Sequence, residues 1–163
     1  MKSLIILLLF SFEALGHGKV KHVDKKASDH RPLIMKDSFK AVYEKINMSY
    51  KMQVEPIFKN KCFDCHSTQT KYPWYYQIPG INLLMNSHVK DARSHMDMNE
   101  GFPFKGHGTP LEDLKELEKT ISENSMPPLY YKVMHSNSSL SQEEKDKIIN
   151  WLNNSKHQMK ELK

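Results

Sequence analysis

The apolar residues of this chain recur mostly at intervals of three and four, which is typical of helices that bury one face. The first such stretch predicts a helix over residues 37–52. Pro56 interrupts the pattern, because proline lacks an amide donor and clashes with the preceding turn, so we expect a second, short helix from residue 55. The apolar positions of the two helices are Phe39, Val42, Tyr43, Ile46, Tyr50, Val54, Ile57 and Phe58.

A third helix is predicted over residues 82–96, with His88 on its inward face. That face also carries Ile81, Leu84, Met85 and Ala92. Segments 68–80 and 99–108 are rich in proline or glycine and are expected to be irregular.

Two capping boxes predict the last two long helices. Thr109 to Glu112, with proline at the first helical position, opens one; Ser141 to Glu144 opens the other. Their apolar stripes are Leu111, Leu114, Leu117 and Ile121 in the first, and Ile148, Ile149, Trp151 and Leu152 in the second. Since no strand-like alternation occurs, the chain is expected to be all-α.

Residues 62–66 read Cys-Phe-Asp-Cys-His and contain both cysteines of the chain. Two thiols three residues apart lie on one helical turn, where they can add to the two vinyl groups of one porphyrin, and the next residue places an imidazole beneath the iron. We therefore expect one haem c, attached through Cys62 and Cys65 with His66 as iron ligand. A zinc site, a redox dithiol and a disulfide remain alternatives.

The N-terminus has the form of an export signal. A short positive start precedes an apolar run from Leu4 to Phe12, and Ala14-Leu15-Gly16 fits a cleavage site. We expect a signal peptide at 1–16, a flexible charged leader at 17–35, the main domain at 36–156 and a polar tail at 157–163. The predicted location is the periplasm, with no stable membrane span after cleavage; a retained anchor is the alternative.

The composition of the chain says little about its partners. The net charge is +5 and hydrophobic residues make up 39% of the chain. Because lysines are interleaved with acidic residues, nothing indicates nucleic-acid binding. The partners we expect are redox proteins, among them proteins with acidic surfaces.

A low-spin electron-transfer haem needs a sixth iron ligand, and methionine sulfur favours ferrous iron. Met126 lies in a Met-Pro-Pro segment after a helix, which presents its thioether on extended backbone. His88 or an open site are the alternatives. Tyr72 and Trp74, in the aromatic segment after the cysteines, are expected to pack against the porphyrin.

Taken together, these motifs resemble the haem-binding-domain family of exported bacterial cytochrome-c-like proteins, over about Val54 to Leu152. The general plan is similar to class I cytochrome c, in which the first and last helices lie beside the haem. The resemblance implies the haem-attachment roles of Cys62, Cys65 and His66. One departure is that residues 95–99 read His-Met-Asp-Met-Asn, where the family usually has an Asn-Phe-Ser-x-Trp stretch. The matching residues are Cys62 to Ser67, Tyr72 to Tyr75, His88, Val89, Arg93, Met126 to Pro128, His135, Leu140, Ser141 and Trp151.

These observations predict a periplasmic monohaem carrier of single electrons, with no catalytic residues. A haem enzyme or gas sensor with an open sixth site, peroxidase-like in chemistry, is one alternative, in which His88 or His135 would serve as acid or base. A haem module of a larger redox complex is the other.

Overall fold

The helices at the two ends of the described chain pack against each other. In this computed structural model, which describes residues 37–161, the elements are α1 (Asp37–Gln53), α2 (Glu55–Lys61), α3 (Phe63–His66), a 3₁₀ helix (Trp74–Gln77), α4 (Ile81–His95), β1 (Met96–Asp97), β2 (Lys105–Gly106), α5 (Pro110–Ser122), α6 (Leu129–Met134) and α7 (Gln142–Lys160). Helix α7 contacts both α1 and α5. The all-α prediction is confirmed, with one short β pair added.

An aromatic cluster fills the space between α1 and α7. Tyr50 of α1 and Trp151 of α7 are buried, and their ring centroids are 5.5 Å apart. Phe104 lies 5.3 Å from the Tyr50 ring, and Phe58 of α2 lies 5.8 Å from it. Because α2 is attached to the cluster through Phe58, the cysteines that follow it are held at the edge of the core.

The glycine-rich loop at 99–108 is part of the core, which its composition did not predict. Phe102 and Phe104 are 2% and 5% exposed, and β1 pairs with β2 in antiparallel register across the loop. Gly101 has φ +78°, and a Cβ there would lie 2.5 Å from Oδ1 of Asn47. That same oxygen accepts a hydrogen bond from the Phe102 amide at 3.0 Å, so the glycine allows the loop to approach α1.

The predicted helix starts are confirmed by their capping contacts. Glu112 accepts from the Thr109 amide at 2.7 Å, while the Thr109 hydroxyl accepts from the Glu112 amide at 3.4 Å. Ser141 and Glu144 make the same reciprocal pair. Pro56 lies at the start of α2, where its missing amide has no helical partner to lose.

Two features of the helices differ from the predictions. Helix α6 was not expected, because its six residues follow Pro127 and Pro128 and carry too short a pattern to recognise. The expected polar tail from residue 157 is instead helical to Lys160. Met159 is 8% exposed, so burial of this one apolar residue continues the packed face of α7 beyond its polar neighbours.

The predicted signal peptide and leader, residues 1–35, lie outside the described residues. Within residues 37–161, none of the helices combines the length and the apolar character that crossing a membrane requires.

We predict that Phe104→Ala destabilises the protein by about 3–5 kcal/mol, the usual effect of removing a buried aromatic ring. The matched control is Met48→Ala, because Met48 is 63% exposed on α1 and should change stability by less than about 0.5 kcal/mol. Denaturant unfolding followed by circular dichroism measures both. Equal effects of the two substitutions would contradict a core position for the loop.

Candidate functional site

The two cysteines and His66 lie on one turn at the junction of α2 and α3. The Cys62 carbonyl accepts from the amides of Cys65 at 3.1 Å and His66 at 2.9 Å. Phe63, inside the motif, is 3% exposed and belongs to the core. Phe63 to His66 are helical, but the single helix expected to carry both cysteines is interrupted at Cys62, which lies between α2 and α3. Phe63 anchors the turn on which both thiols lie.

The imidazole of His66 is oriented by the end of α4. Its Nδ1 lies 2.8 Å from the carbonyl oxygen of Met96, and because a carbonyl only accepts, Nδ1 carries the proton. Burial lowers the pKa of His66 below its ordinary value, although hydrogen bonds to the Met96 and Ala92 carbonyls oppose the shift. In the neutral ring the lone pair then lies on Nε2, which is the form that binds a metal.

Both thiols are unbridged and partly buried. Burial raises the pKa of Cys65, and raises that of Cys62 to about 12. Among the described residues no three His, Cys, Asp or Glu side chains come together to hold a metal ion. The zinc alternative therefore lacks a ligand set within this part of the chain.

The exposed apolar side chains of the described chain are concentrated near this turn. Apart from Met48 and Met52, the large ones all belong to segments 72–84 and 126–134. They are Tyr72, Trp74, Ile78, Leu83, Leu84, Met126, Leu129, Tyr130, Val133 and Met134. Such a concentration marks a surface that binds something apolar, and a porphyrin has two large apolar faces. The residues present therefore fit a haem.

Helix α6 brings its segment to the turn through polar contacts. The Tyr131 hydroxyl donates to Oδ2 of Asp64 at 3.3 Å, and the Tyr75 hydroxyl lies 3.2 Å from Nε2 of His135. Of these, Asp64, Tyr75 and Tyr131 were not predicted as site residues. Asp64 and Tyr75 lie inside the stretches that match the family, but nothing there gave them a role. For Tyr131 the signal was its i,i+4 spacing to His135, which is too weak in six residues to indicate one.

The aromatic segment after the motif is placed close to α4. Tyr72 donates from its hydroxyl to Oδ1 of Asn86 at 2.9 Å, and its ring lies 4.0 Å from that of Tyr76. Trp74 is 81% exposed and contacts the Tyr75 ring edge-on at 5.7 Å. The described structure thus places both predicted residues on the surface near the motif, and their contact with porphyrin stays a prediction.

The inward position predicted for His88 is wrong. The side chain is exposed, and its Nδ1 lies 3.5 Å from the Tyr130 hydroxyl of α6. The half-buried residues of α4 include Met85, Val89 and Arg93, so its packed face is offset from the predicted stripe, and His88 and Leu84 lie at the exposed edge. Met126 is half exposed in the segment between α5 and α6. Both remain candidate iron ligands.

Comparisons with known proteins agree with this chemistry. A family model described as a haem-binding domain matches residues 21–154, beginning inside the predicted leader. Cytochrome c peroxidase of Escherichia coli strain K12 is 28% identical over 93 residues, which is 56% of this chain and 20% of that protein. The alignment thus spans about a fifth of the length of this relative. No solved structure matches significantly.

We predict that Cys62 of the folded, haem-free chain reacts slowly with iodoacetamide. The thiolate is the nucleophile, so at pH 8 a thiol with a pKa of about 12 should react roughly 10²- to 10³-fold more slowly than an ordinary thiol. The rate should rise about tenfold per pH unit, since each unit raises the thiolate fraction tenfold. Mass spectrometry of Cys65→Ser isolates Cys62, and the same variant in guanidinium is the control. Equal rates in the folded and unfolded chain would contradict the burial of this thiol.

Proposed function

This chain belongs to the haem-binding-domain family, and from that membership we propose that it is a monohaem c-type cytochrome that carries single electrons. The observation that carries the proposal is the geometry of the Cys62–His66 turn. Both thiols lie on one helical turn, and because Nδ1 of His66 donates to the Met96 carbonyl at 2.8 Å, the lone pair of the neutral ring lies on Nε2, the atom that would bind iron. A redox dithiol would not need an imidazole so oriented, and zinc would need further ligands beside this turn, where residues 37–161 bring together no group of three His, Cys, Asp or Glu side chains.

When bound, haem supplies an iron that changes between the ferric and ferrous states by one electron. Cys62 and Cys65 would hold the porphyrin by thioether bonds, formed when each S–H adds across a vinyl group. His66 would bind iron through Nε2, with its ring held by the Met96 carbonyl so that little reorientation accompanies the electron. The hydrogen bond to Nδ1 also raises the donor strength of the ring.

Met126 is the proposed sixth ligand. Its thioether is a soft donor that favours the ferrous state. Pro127 and Pro128 restrict the backbone that follows it, so the side chain is presented by a stiff segment. A carrier would benefit from this arrangement, because an iron held by His66 and Met126 would exclude exogenous ligands and keep the same protein ligands in both redox states.

A haem enzyme is the second candidate, supported by the similarity to cytochrome c peroxidase of Escherichia coli. Because the alignment covers 20% of that protein, the activity named for the relative does not follow for this chain. A peroxidase needs an open iron position and a nearby acid or base. Two histidines lie beside α6. Nδ1 of His88 is 3.5 Å from the Tyr130 hydroxyl of α6, and Nε2 of His135, which follows α6, is 3.2 Å from the Tyr75 hydroxyl of the 3₁₀ helix.

We propose that the protein works in the periplasm after export and meets redox proteins there. The support for export is the signal-like segment at 1–16, together with the requirement that haem c be attached outside the cytoplasm. The net charge of +5 would favour partners with acidic surfaces, and their association should then weaken as salt screens the charges.

The covalent link is tested by Cys62→Ala/Cys65→Ala. We predict that acidic acetone removes the haem from this double variant and leaves it on the wild type, because a thioether bond survives unfolding and an axial ligand bond does not. Absorbance of the protein pellet measures retention. Complete extraction from wild-type protein purified after export would contradict attachment.

The sixth ligand is tested by Met126→Ala. The reduced wild type should bind carbon monoxide weakly, and the variant at least about tenfold more tightly, because a coordination bond worth more than about 1.4 kcal/mol no longer competes. Its reduction potential should fall, since a ligand that favours ferrous iron is lost. Optical titration and redox potentiometry measure the two effects, with Met52→Ala as the exposed-methionine control.

Two other outcomes would reject Met126. If His88→Ala opens the site and Met126→Ala does not, His88 is the ligand. If the wild type already binds carbon monoxide tightly and both variants match it, the position is open. Turnover of hydrogen peroxide by that open form would then favour the enzyme over the carrier.

A further inference from the structure

Helix α6 is held in place without burying its apolar residues. Leu129, Val133 and Met134 are 77%, 75% and 60% exposed. The helix has six residues, and helices this short do not form on their own in water. Other contacts must therefore keep α6 folded against the rest of the protein.

Those contacts form one connected group, here called the clamp: Asp64, Tyr75, Tyr131 and His135. The Tyr131 hydroxyl donates to Oδ2 of Asp64 at 3.3 Å. The Tyr131 ring stacks on His135 at 4.0 Å with an angle of 13° between planes. The clamp thus joins α6 to the turn that carries both cysteines.

The proton positions in the clamp follow from its acceptors. Nδ1 of His135 lies 3.1 Å from the Tyr131 carbonyl, which only accepts, so this nitrogen carries the proton. Nε2 of the neutral ring then accepts from the Tyr75 hydroxyl at 3.2 Å. Asp64 also accepts from the Lys71 amide at 3.0 Å. Burial, followed by the Asp64 carboxylate, raises the pKa of Tyr131, so its phenol stays a donor.

Met126 is coupled to α6 by short, restricted backbone. The Pro128 carbonyl accepts hydrogen bonds from two amides near the start of α6, those of Tyr131 at 3.0 Å and Lys132 at 3.1 Å. On the other side, Lys132 donates from Nζ to the Asn124 carbonyl at 2.9 Å. The segment from Ser125 to Pro128 is held by α5 at its first residue, where the Ser125 amide donates to the Thr120 carbonyl at 3.2 Å, and by α6 at its last. A shift of α6 therefore moves the Pro128 end that follows Met126.

We infer that Asp64, Tyr75, Tyr131 and His135 are positioning residues that hold the Met126 segment at a set distance from the Cys62–His66 turn. The inference rests on the proposed function, in which Met126 binds iron. Because Asp64 lies between the two cysteines in sequence, the clamp connects the Met126 segment directly to the turn that carries Cys62, Cys65 and His66. Loosening the clamp is expected to release Met126 part of the time without breaking the fold.

The test compares Tyr131→Phe and Tyr75→Phe with Tyr76→Phe in the holoprotein. Each removes one hydroxyl, but the Tyr76 hydroxyl bonds to Asn86 of α4 and not to α6. Amide hydrogen exchange at Tyr131, Lys132 and His135 reports opening of α6. Each clamp variant should speed exchange about 2- to 10-fold, because losing one typical net hydrogen bond shifts the opening equilibrium of α6 by about that factor. Tyr76→Phe should match the wild type.

The second readout is the rate of carbon monoxide binding to the reduced protein. It should rise by a similar factor in Tyr131→Phe, because carbon monoxide enters only while Met126 is displaced. Exchange no faster than in Tyr76→Phe would overturn the inference. The inference would also be overturned if the clamp variants exchange faster but bind carbon monoxide at the wild-type rate, while Met126→Ala does make carbon monoxide binding stronger.

Failure of the proposed function looks different. If Met126 is not the iron ligand, Met126→Ala itself leaves carbon monoxide binding unchanged, whatever the clamp variants do. The inference is then rejected together with the assignment of Met126. Agreement of both readouts in both clamp variants, with neither changed in Tyr76→Phe, supports it.

Discussion

The hydrogen bond from His66 to the Met96 carbonyl is the contact on which the site depends. At 2.8 Å it joins the turn after α2 to the end of α4, and the Met98 amide donates back to the His66 carbonyl at 2.8 Å. The two bonds lock segments 30 residues apart. The first of these bonds also sets the tautomer, because a carbonyl can only accept, so the lone pair of the neutral ring lies on Nε2.

The aromatic core holds the turn that carries Cys62, Cys65 and His66 in place. Phe58 and Phe63 are buried on either side of Cys62, and Phe58 contacts the rings of Tyr50 and Phe104. The cysteines are thus held at an edge of the core. Beyond that edge, the segments at 72–84 and 126–134 keep their large apolar side chains exposed. A porphyrin would cover surface that the protein's own side chains leave uncovered.

The two halves of the site are stabilised by different physics. The side with Cys62, Cys65 and His66 rests on buried rings and backbone hydrogen bonds. The side with α6 and Met126 rests on phenol, imidazole and carboxylate contacts between partly exposed groups. Since such contacts are individually weak, the second side is expected to open more readily than the first. In the proposed carrier, exogenous ligands would therefore enter on the Met126 side.

Local chemistry was readable from the sequence alone. The helix pattern, the break at Pro56, both capping boxes and the Cys-x-x-Cys-His turn involve residues at most a few positions apart, so their interactions need no knowledge of the fold. The tertiary structure alone decided which distant groups meet: Met96 with His66, Phe104 with Tyr50, and Tyr131 with Asp64. It also placed His88 outside, because the half-buried face of α4 is offset from the predicted stripe towards Val89 and Arg93, and tertiary packing, not the apolar pattern alone, sets that offset.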